Sequence, residues 1–352
     1  MPTGQSSSPD TPSRGPVVTR RAVLAGGAAA FLAACGSGSG TAPSPTGSEM
    51  PSPGTTMDPQ PAEDAVQAAL DAAGLGDATL ALTPQTTWPE LLTGIATDLL
   101  LVVTDDTGEI LTDPVDVTLV AGGEVVAGPA ATTWYPDDRL PTQGLHAVRL
   151  TVEDPGTLDV VVATPDGARA GTAGIQALPP EESIAPAPGD TIPAMVTPTT
   201  DDPMGLEELC TREDNCGLHD VSLDEALAAG PVVLCVSTPK FCATAICGPV
   251  LDDVLSVAES GDHDDYTFIH VEPYENADLA ETELVAELQL PTEPWTWILQ
   301  PDGTIVERWP GPVLPDLLDQ ALSDAATQAG ASQAPSDGAS AEPTATPSPT
   351  AS

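Results

Sequence analysis

Six cysteines lie in the 352 residues, and five of them fall between Cys210 and Cys247. A thiolate is a nucleophile and a metal ligand, whereas a thiol inside an apolar run behaves as a small hydrophobe. Cys235 is of the second kind, because it sits within Val232-Val233-Leu234-Cys235-Val236. Cys210 and Cys216 bracket Thr-Arg-Glu-Asp-Asn, a short loop whose closure as a structural disulfide would pin a linker to the domain that follows. Cys242 and Cys247 remain, directly after the apolar run and where a helical pattern begins. A sulfur at a helix N-terminus is held as thiolate by the helix dipole and the unpaired backbone N–H groups, and Lys240 adds positive charge nearby. Cys242 is thus expected to attack and Cys247 to resolve. The competing expectation is a permanent staple: five residues along a regular helix turn two side chains ~140° apart, so closure needs a distorted first turn.

The sixth cysteine has other surroundings. Arg20 and Arg21 directly precede an apolar stretch, Ala22 to Ala34, too short to settle across a ~30 Å hydrocarbon core. It ends in Leu32-Ala33-Ala34-Cys35, followed by a Gly-Ser-rich run from Gly36 to Gly40. The segment resembles a twin-arginine export signal closed by a bacterial lipobox. That resemblance implies cleavage before Cys35, acylation of its thiol, and residence on the outer face of the cell membrane. Nine Lys and Arg against 53 Asp and Glu leave a net charge of −44. Such a charge repels phosphate backbones and argues against nucleic-acid partners. Spread along the chain, it reads as a solubilising surface.

The elements that would position the cysteines follow from composition and period. Residues 1–34 are the signal and 35–61 a Ser/Gly/Pro/Thr tether that cannot offset its ordering entropy by burial. Residues 62–96 hold one short helix, Ala62 to Ala73, and a lead-in. From 97 to 178 short β-type runs (Asp98–Thr104, Val115–Val120, Leu145–Val152, Leu158–Ala163) alternate with Gly- and Asp-containing turns, the signature of a small all-β sandwich. Leu145 to Val152, followed by Glu-Asp-Pro-Gly-Thr, resembles the penultimate hairpin of an immunoglobulin-like domain. Residues 179–209 read as a Pro/Thr/Ala linker and 328–352 as a disordered tail. Between them, 210–327 follows the order β-α-β-α-β-β-α: helix 222–229 leads into strand 232–236, helix 242–259, strand 266–271, helix 277–288, a hairpin around Gln-Pro-Asp-Gly, and helix 313–325.

That order, the cysteine pair after its first strand, and Leu290-Pro-Thr-Glu-Pro294-Trp295 before the hairpin resemble the thioredoxin-like superfamily, from Asp220 to Ala325. The layout is also similar to actinobacterial exported proteins with such a domain. The resemblance implies an α/β fold and a cis-proline at Pro294 facing the redox cysteines, and it makes Cys242, Cys247 and Pro294 the catalytic set. No cofactor is implied, and envelope proteins become the expected partners. The chain departs from the family in spacing, Cys-x4-Cys in place of Cys-x-x-Cys, with Gly248-Pro249 after the second cysteine. Either Cys242 takes the nucleophile's place at the helix start, the favoured register, or Cys247 does and Val250 replaces the second cysteine. Two alternatives stand beside exchange. One is a non-catalytic binding scaffold with structural disulfides only. The other is copper binding of the Sco type, by two thiols and a distal histidine, with His219 and His270 as candidates and Met195 and Met204 as soft ligands. Otherwise His270, in a strand pattern, reads as a core residue, His219 as a local hydrogen-bonding one, and no metal is assigned. Trp297 and Trp309 read as core, while Trp295 beside Pro294 could also line a peptide groove. No Gly-rich phosphate loop, zinc-type Cys-His spacing or Gly-x-Ser-x-Gly elbow is present.

Overall fold

The computed structural model describes residues 63–206 and 208–332, all within one unit spanning Pro59–Ser352. Arg20, Arg21 and Cys35, with the tether and most of the tail, lie outside the described residues. Helix α1, Glu63–Ala72, comes first and is followed by ten strands: β1 Thr79–Leu80, β2 Leu82–Thr86, β3 Glu90–Leu92, β4 Thr97–Asp105, β5 Asp116–Ala121, β6 Glu124–Ala131, β7 Thr133–Pro136, β8 Gly144–Leu150, β9 Gly156–Ala163 and β10 Arg169–Leu178. They form two sheets, β1-β10-β9-β5-β6 with β3 also on β10, and β2-β4-β8-β7.

The run Leu99 to Val103 shows why the sheets pack as they do. Strand side chains alternate between faces, so an unbroken apolar run must be covered on both. Leu99, Leu101 and Val103 enter the core between the sheets with Val117, Leu119, Val160 and Val162. Leu100 and Val102 face the other way, onto Leu145, Leu314, Leu317 and Ile246 of later segments. The sandwich thus starts at β1, ahead of the boundary expected at 97. The lead-in is sheet because Pro84 is tolerated on β2, an edge strand.

The second layer system holds α2 Leu223–Ala229, β11 Val232–Val236, α3 Cys247–Ala258, β12 Thr267–Val271, α4 Glu283–Leu288, β13 Trp295–Leu299, β14 Ile305–Pro310 and α5 Pro315–Ser332. Its sheet order is β12-β11-β13-β14, with β11 parallel to β12 and antiparallel to β13. Alternation sorts the core: Val232, Leu234 and Val236 meet α2 and α4, while Val233 and Cys235 meet α3 and α5. Every element expected in this region is present, with shifted bounds. Helix 242–259 begins only at Cys247, and helix 277–288 only at Glu283.

The expected linker is no free spacer. Its stretch from Ala185 to Ile192 runs along β14: Gly189 N–H donates to Ile305 O at 2.9 Å and Ile192 N–H to Gly303 O at 2.9 Å. Gly303 closes the Gln-Pro-Asp-Gly turn at φ +83°, and a Cβ there would overlap the Ile192 carbonyl oxygen. The strap buries Ala185, Ala187 and Ile192, which is why a Pro-rich segment is held in place.

Candidate functional site

The segment from Ser237 to Ile246 carries the chain from β11, at the sheet centre, to the start of α3. Cys242 lies in this loop, its N–H donating to Thr238 O at 3.2 Å, and Ala245 turns the backbone with φ +59°. Cys247 is the first residue of α3 and is fully buried, whereas Cys242 is half-buried. The two thiols therefore do not share a helix, and the ~140° separation does not arise. Their sulfurs and a carboxylate oxygen of Glu293 all lie within 4.8 Å of one another.

This corrects the favoured register in one respect. Cys247, and not Cys242, occupies the helix start, while the Cys242 sulfur is presented to that start from outside. The thiol of Cys247 donates to it, Thr244 Oγ1 lies 3.4 Å away, and the backbone N–H of Cys247 adds a further donor. These donors lower the Cys242 pKa to about 4, the Cys247 thiol contributing most and burial opposing them. Cys247 is pushed the other way, first because its thiol is engaged by the Cys242 thiolate and then by burial. Lys240 is not a partner of Cys242: its Nζ pairs with Glu208 at 2.6 Å and lies 5.5 Å from the centroid of the Phe241 ring.

Glu293, which sequence reasoning did not single out, precedes Pro294 at the head of β13, and the Glu293–Pro294 peptide is cis. Burial raises its pKa, the Cys242 charge raises it further, and the Tyr274 hydroxyl, donating to Glu293 Oε2 at 2.9 Å, opposes both. A half-buried carboxylate with an oxygen within 4.8 Å of a buried thiol can take its proton once the two close to hydrogen-bond distance. Trp295 lines no open groove. It is fully buried, stacked on Trp297 at 5.4 Å and edge-on to Trp88 at 5.1 Å. Trp297 and Trp309 are core residues too.

Cys210, Cys216 and Cys235 are free thiols in this structure, and the sulfurs of Cys210 and Cys216, expected as a structural disulfide, lie within 4.8 Å of each other. Cys235 is fully buried in β11, where burial raises its pKa to about 12. His219 and His270 do not approach Cys242 and Cys247. They meet Cys210 and Cys216 instead, so among the described residues no histidine groups with Cys242 and Cys247 in the manner of a Sco-type site. Met195 packs against the core and Met204 is exposed, so neither joins either group.

No protein-family model and no curated protein matches the chain. Among solved structures, the thioredoxin domain of a thiol-disulfide oxidoreductase from Bacteroides vulgatus aligns with 40% of this chain and 96% of its own, at 12% identity and a TM-score of 0.27. The C-terminal domain of ZirS aligns with 44% of this chain and 99% of its own, at 15% identity and a TM-score of 0.18. FdeC, an Escherichia coli adhesin, aligns with 35% of this chain and 37% of its own, at 19% identity and a TM-score of 0.22. Likeness at this level says nothing about activity.

Proposed function

We propose that the chain is an exported, membrane-anchored thiol-disulfide exchange protein, an immunoglobulin-like sandwich followed by a thioredoxin-like domain, acting on envelope proteins through Cys242 and Cys247. The strand order β12-β11-β13-β14 and the thiol pair at the β11–α3 junction support the domain reading. The export signal and lipidation at Cys35 stand on the sequence resemblance. One observation carries the activity: a half-exposed sulfur stabilised as thiolate, with a buried thiol and a carboxylate within 4.8 Å.

The Cys242 thiolate attacks a substrate disulfide, forming a mixed disulfide and releasing one substrate thiolate. Cys247 then passes its proton to Glu293 and attacks Cys242 Sγ. The Cys242–Cys247 disulfide forms, the second substrate thiolate leaves, and the substrate has gained two electrons. The reverse sequence oxidises a substrate dithiol. Thiol trapping of the full chain across a dithiol redox series tests the proposal. A potential between about −270 and −120 mV supports exchange, whereas one below about −300 mV marks a structural staple and favours the scaffold alternative.

A further inference from the structure

Behind the redox loop, four side chains from separate segments converge. Cys210 and Cys216 come from the segment before α2, His219 follows three residues later, and His270 reaches in from β12. Their ligand atoms all lie within 4.8 Å of one another. Cys216 Sγ is 3.2 Å from His219 Nε2 and 3.5 Å from His270 Nδ1; Cys210 Sγ is 3.8 Å from His270 Nδ1; and the two ring nitrogens are 3.2 Å apart. A tetrahedral ion with bonds of ~2.3 Å to sulfur and ~2.0–2.1 Å to nitrogen spaces its ligands by roughly 3.4 Å for two nitrogens and roughly 3.6 Å for sulfur and nitrogen. The observed separations match these edges to within a few tenths of an ångström.

Proton positions point the same way. His270 Nε2 lies 2.9 Å from the Ser237 carbonyl oxygen, which can only accept, so Nε2 carries the proton and Nδ1 turns its lone pair to the cluster. A backbone carbonyl that fixes the tautomer is the usual outer support of a metal-bound imidazole. His219 is 1% exposed, with Nε2 in the cluster and Nδ1 lacking any hydrogen-bond partner among the described residues. Once the thiols have lost their protons, two sulfurs and two imidazole nitrogens aimed at one point present four lone pairs to a cation, and three of the four residues are buried.

We propose that Cys210, Cys216, His219 and His270 form a closed, four-coordinate site for a borderline-soft divalent ion of the zinc class. Two thiolates neutralise such an ion, and imidazole and thiolate select against calcium and magnesium, which take oxygen ligands. All four positions are filled by the protein, so the site is structural. It clamps the segment carrying Cys210 to the sheet, and that segment supports the redox loop. Thr211 N–H and Oγ1 donate to Glu272 Oε1 at 2.6 and 2.8 Å, and Thr211 Oγ1 accepts the Lys240 N–H at 3.2 Å.

The test is elemental analysis of the full chain, purified under a thiol reductant without added metal. One zinc per chain is expected, retained when Cys242 and Cys247 are both replaced by Ser and lost in Cys216→Ser. Because Cys216→Ser could unfold the domain, the wild-type chain is also stripped with a chelator and titrated with Co2+ alone. The result expected is the visible spectrum of tetrahedral cobalt with thiolate charge transfer, saturating at one equivalent and abolished by one equivalent of Zn2+. In the loaded protein, Cys210 and Cys216 should resist alkylation until chelator is added. The proposal is overturned by a metal-free chain giving no cobalt spectrum, by a Cys210–Cys216 disulfide under the same reductant, or by metal that disappears with the Cys242/Cys247 replacement. The last two results would leave the exchange reading to its own potential measurement.

Discussion

At the scale of single residues, the asymmetry between Cys242 and Cys247 decides how the proposed exchange site behaves. Donors around Cys242 favour its thiolate, while Cys247, engaged and buried, keeps its proton. A folded pKa of about 4 against 9.0 for a free thiol means that reactivity persists on acidification and falls only through the folded value. Alkylation of Cys242 in the reduced chain should therefore be independent of pH from neutrality down to about pH 5 and half-maximal near 4, followed by mass spectrometry. Cys247→Ala removes the largest of these donors and should move the midpoint upward. Glu293 has the opposite sign of shift. Since burial raises its pKa, resolution by Cys247 should slow as pH falls through a value above the ordinary carboxylate range. Glu293→Gln should slow resolution at neutral pH, accumulate the mixed disulfide, and abolish this acid limb. An unchanged limb in rapid-quench kinetics would remove Glu293 from the mechanism.

At the scale of elements, the start of α3 is what makes the pair work, and Ile246 holds it. Ile246 packs with Leu100, Leu145 and Leu314, so the residue before Cys247 is fixed by a sandwich strand and by the approach to α5. Ile246→Ala should destabilise the reduced chain by about 1–2 kcal/mol, less than a fully buried truncation, in chemical denaturation. It should also raise the Cys242 pKa, because the Cys247 N–H would no longer be held toward its sulfur. This start was misplaced in the sequence for a physical reason: Ala-Thr-Ala-Ile is compatible with helix, so the pattern reads back to Cys242. The left-handed backbone at Ala245 that breaks it leaves no mark in residue type. Strand β4 was legible because five consecutive large apolar residues admit few other placements. β6 and β10 were not. Glu124–Ala131 contains Gly128-Pro129 and faces solvent over most of its length, and Arg169–Leu178 is built largely of Gly, Ala and Thr, which carry little periodic signal. The Cys-His cluster was half legible: Cys216 and His219 are three residues apart, but His270 arrives from a strand 51 residues beyond His219, a proximity created only by the sheet.

At the scale of the whole molecule, the sandwich and the α/β part are joined by more than a tether. Arg149 on β8 pairs with Asp98 at 2.8 Å and with Glu307 on β14 at 2.6 Å, and Arg139 pairs with Asp253 on α3. Arg308 on β14 donates to Glu90 on β3 at 2.8 Å and to the Ala185 carbonyl at 2.8 Å. Both members of that pair are 7% exposed, so neither charge has water to fall back on. With the apolar layer around Leu100 and Leu314, these contacts make the two parts unfold together, and a single transition is expected by calorimetry and by tryptophan fluorescence alike. Arg308→Met should cost about 3–5 kcal/mol, because it leaves the Glu90 charge buried with no cation and only the Ser183 hydroxyl, at 2.6 Å, as donor. Removing the partner as well, as Glu90→Gln with Arg308→Met, should recover much of that loss, since the expense lies in the orphaned charge more than in the missing attraction. Two separable transitions in the wild-type chain, or a double variant as unstable as the sum of the singles, would mean that the sandwich is not coupled through β14 to the part that carries Cys242 and Cys247. Coupling would then have to run through contacts outside β14, among them Ile246, Arg139 and the Trp88–Trp295 pair.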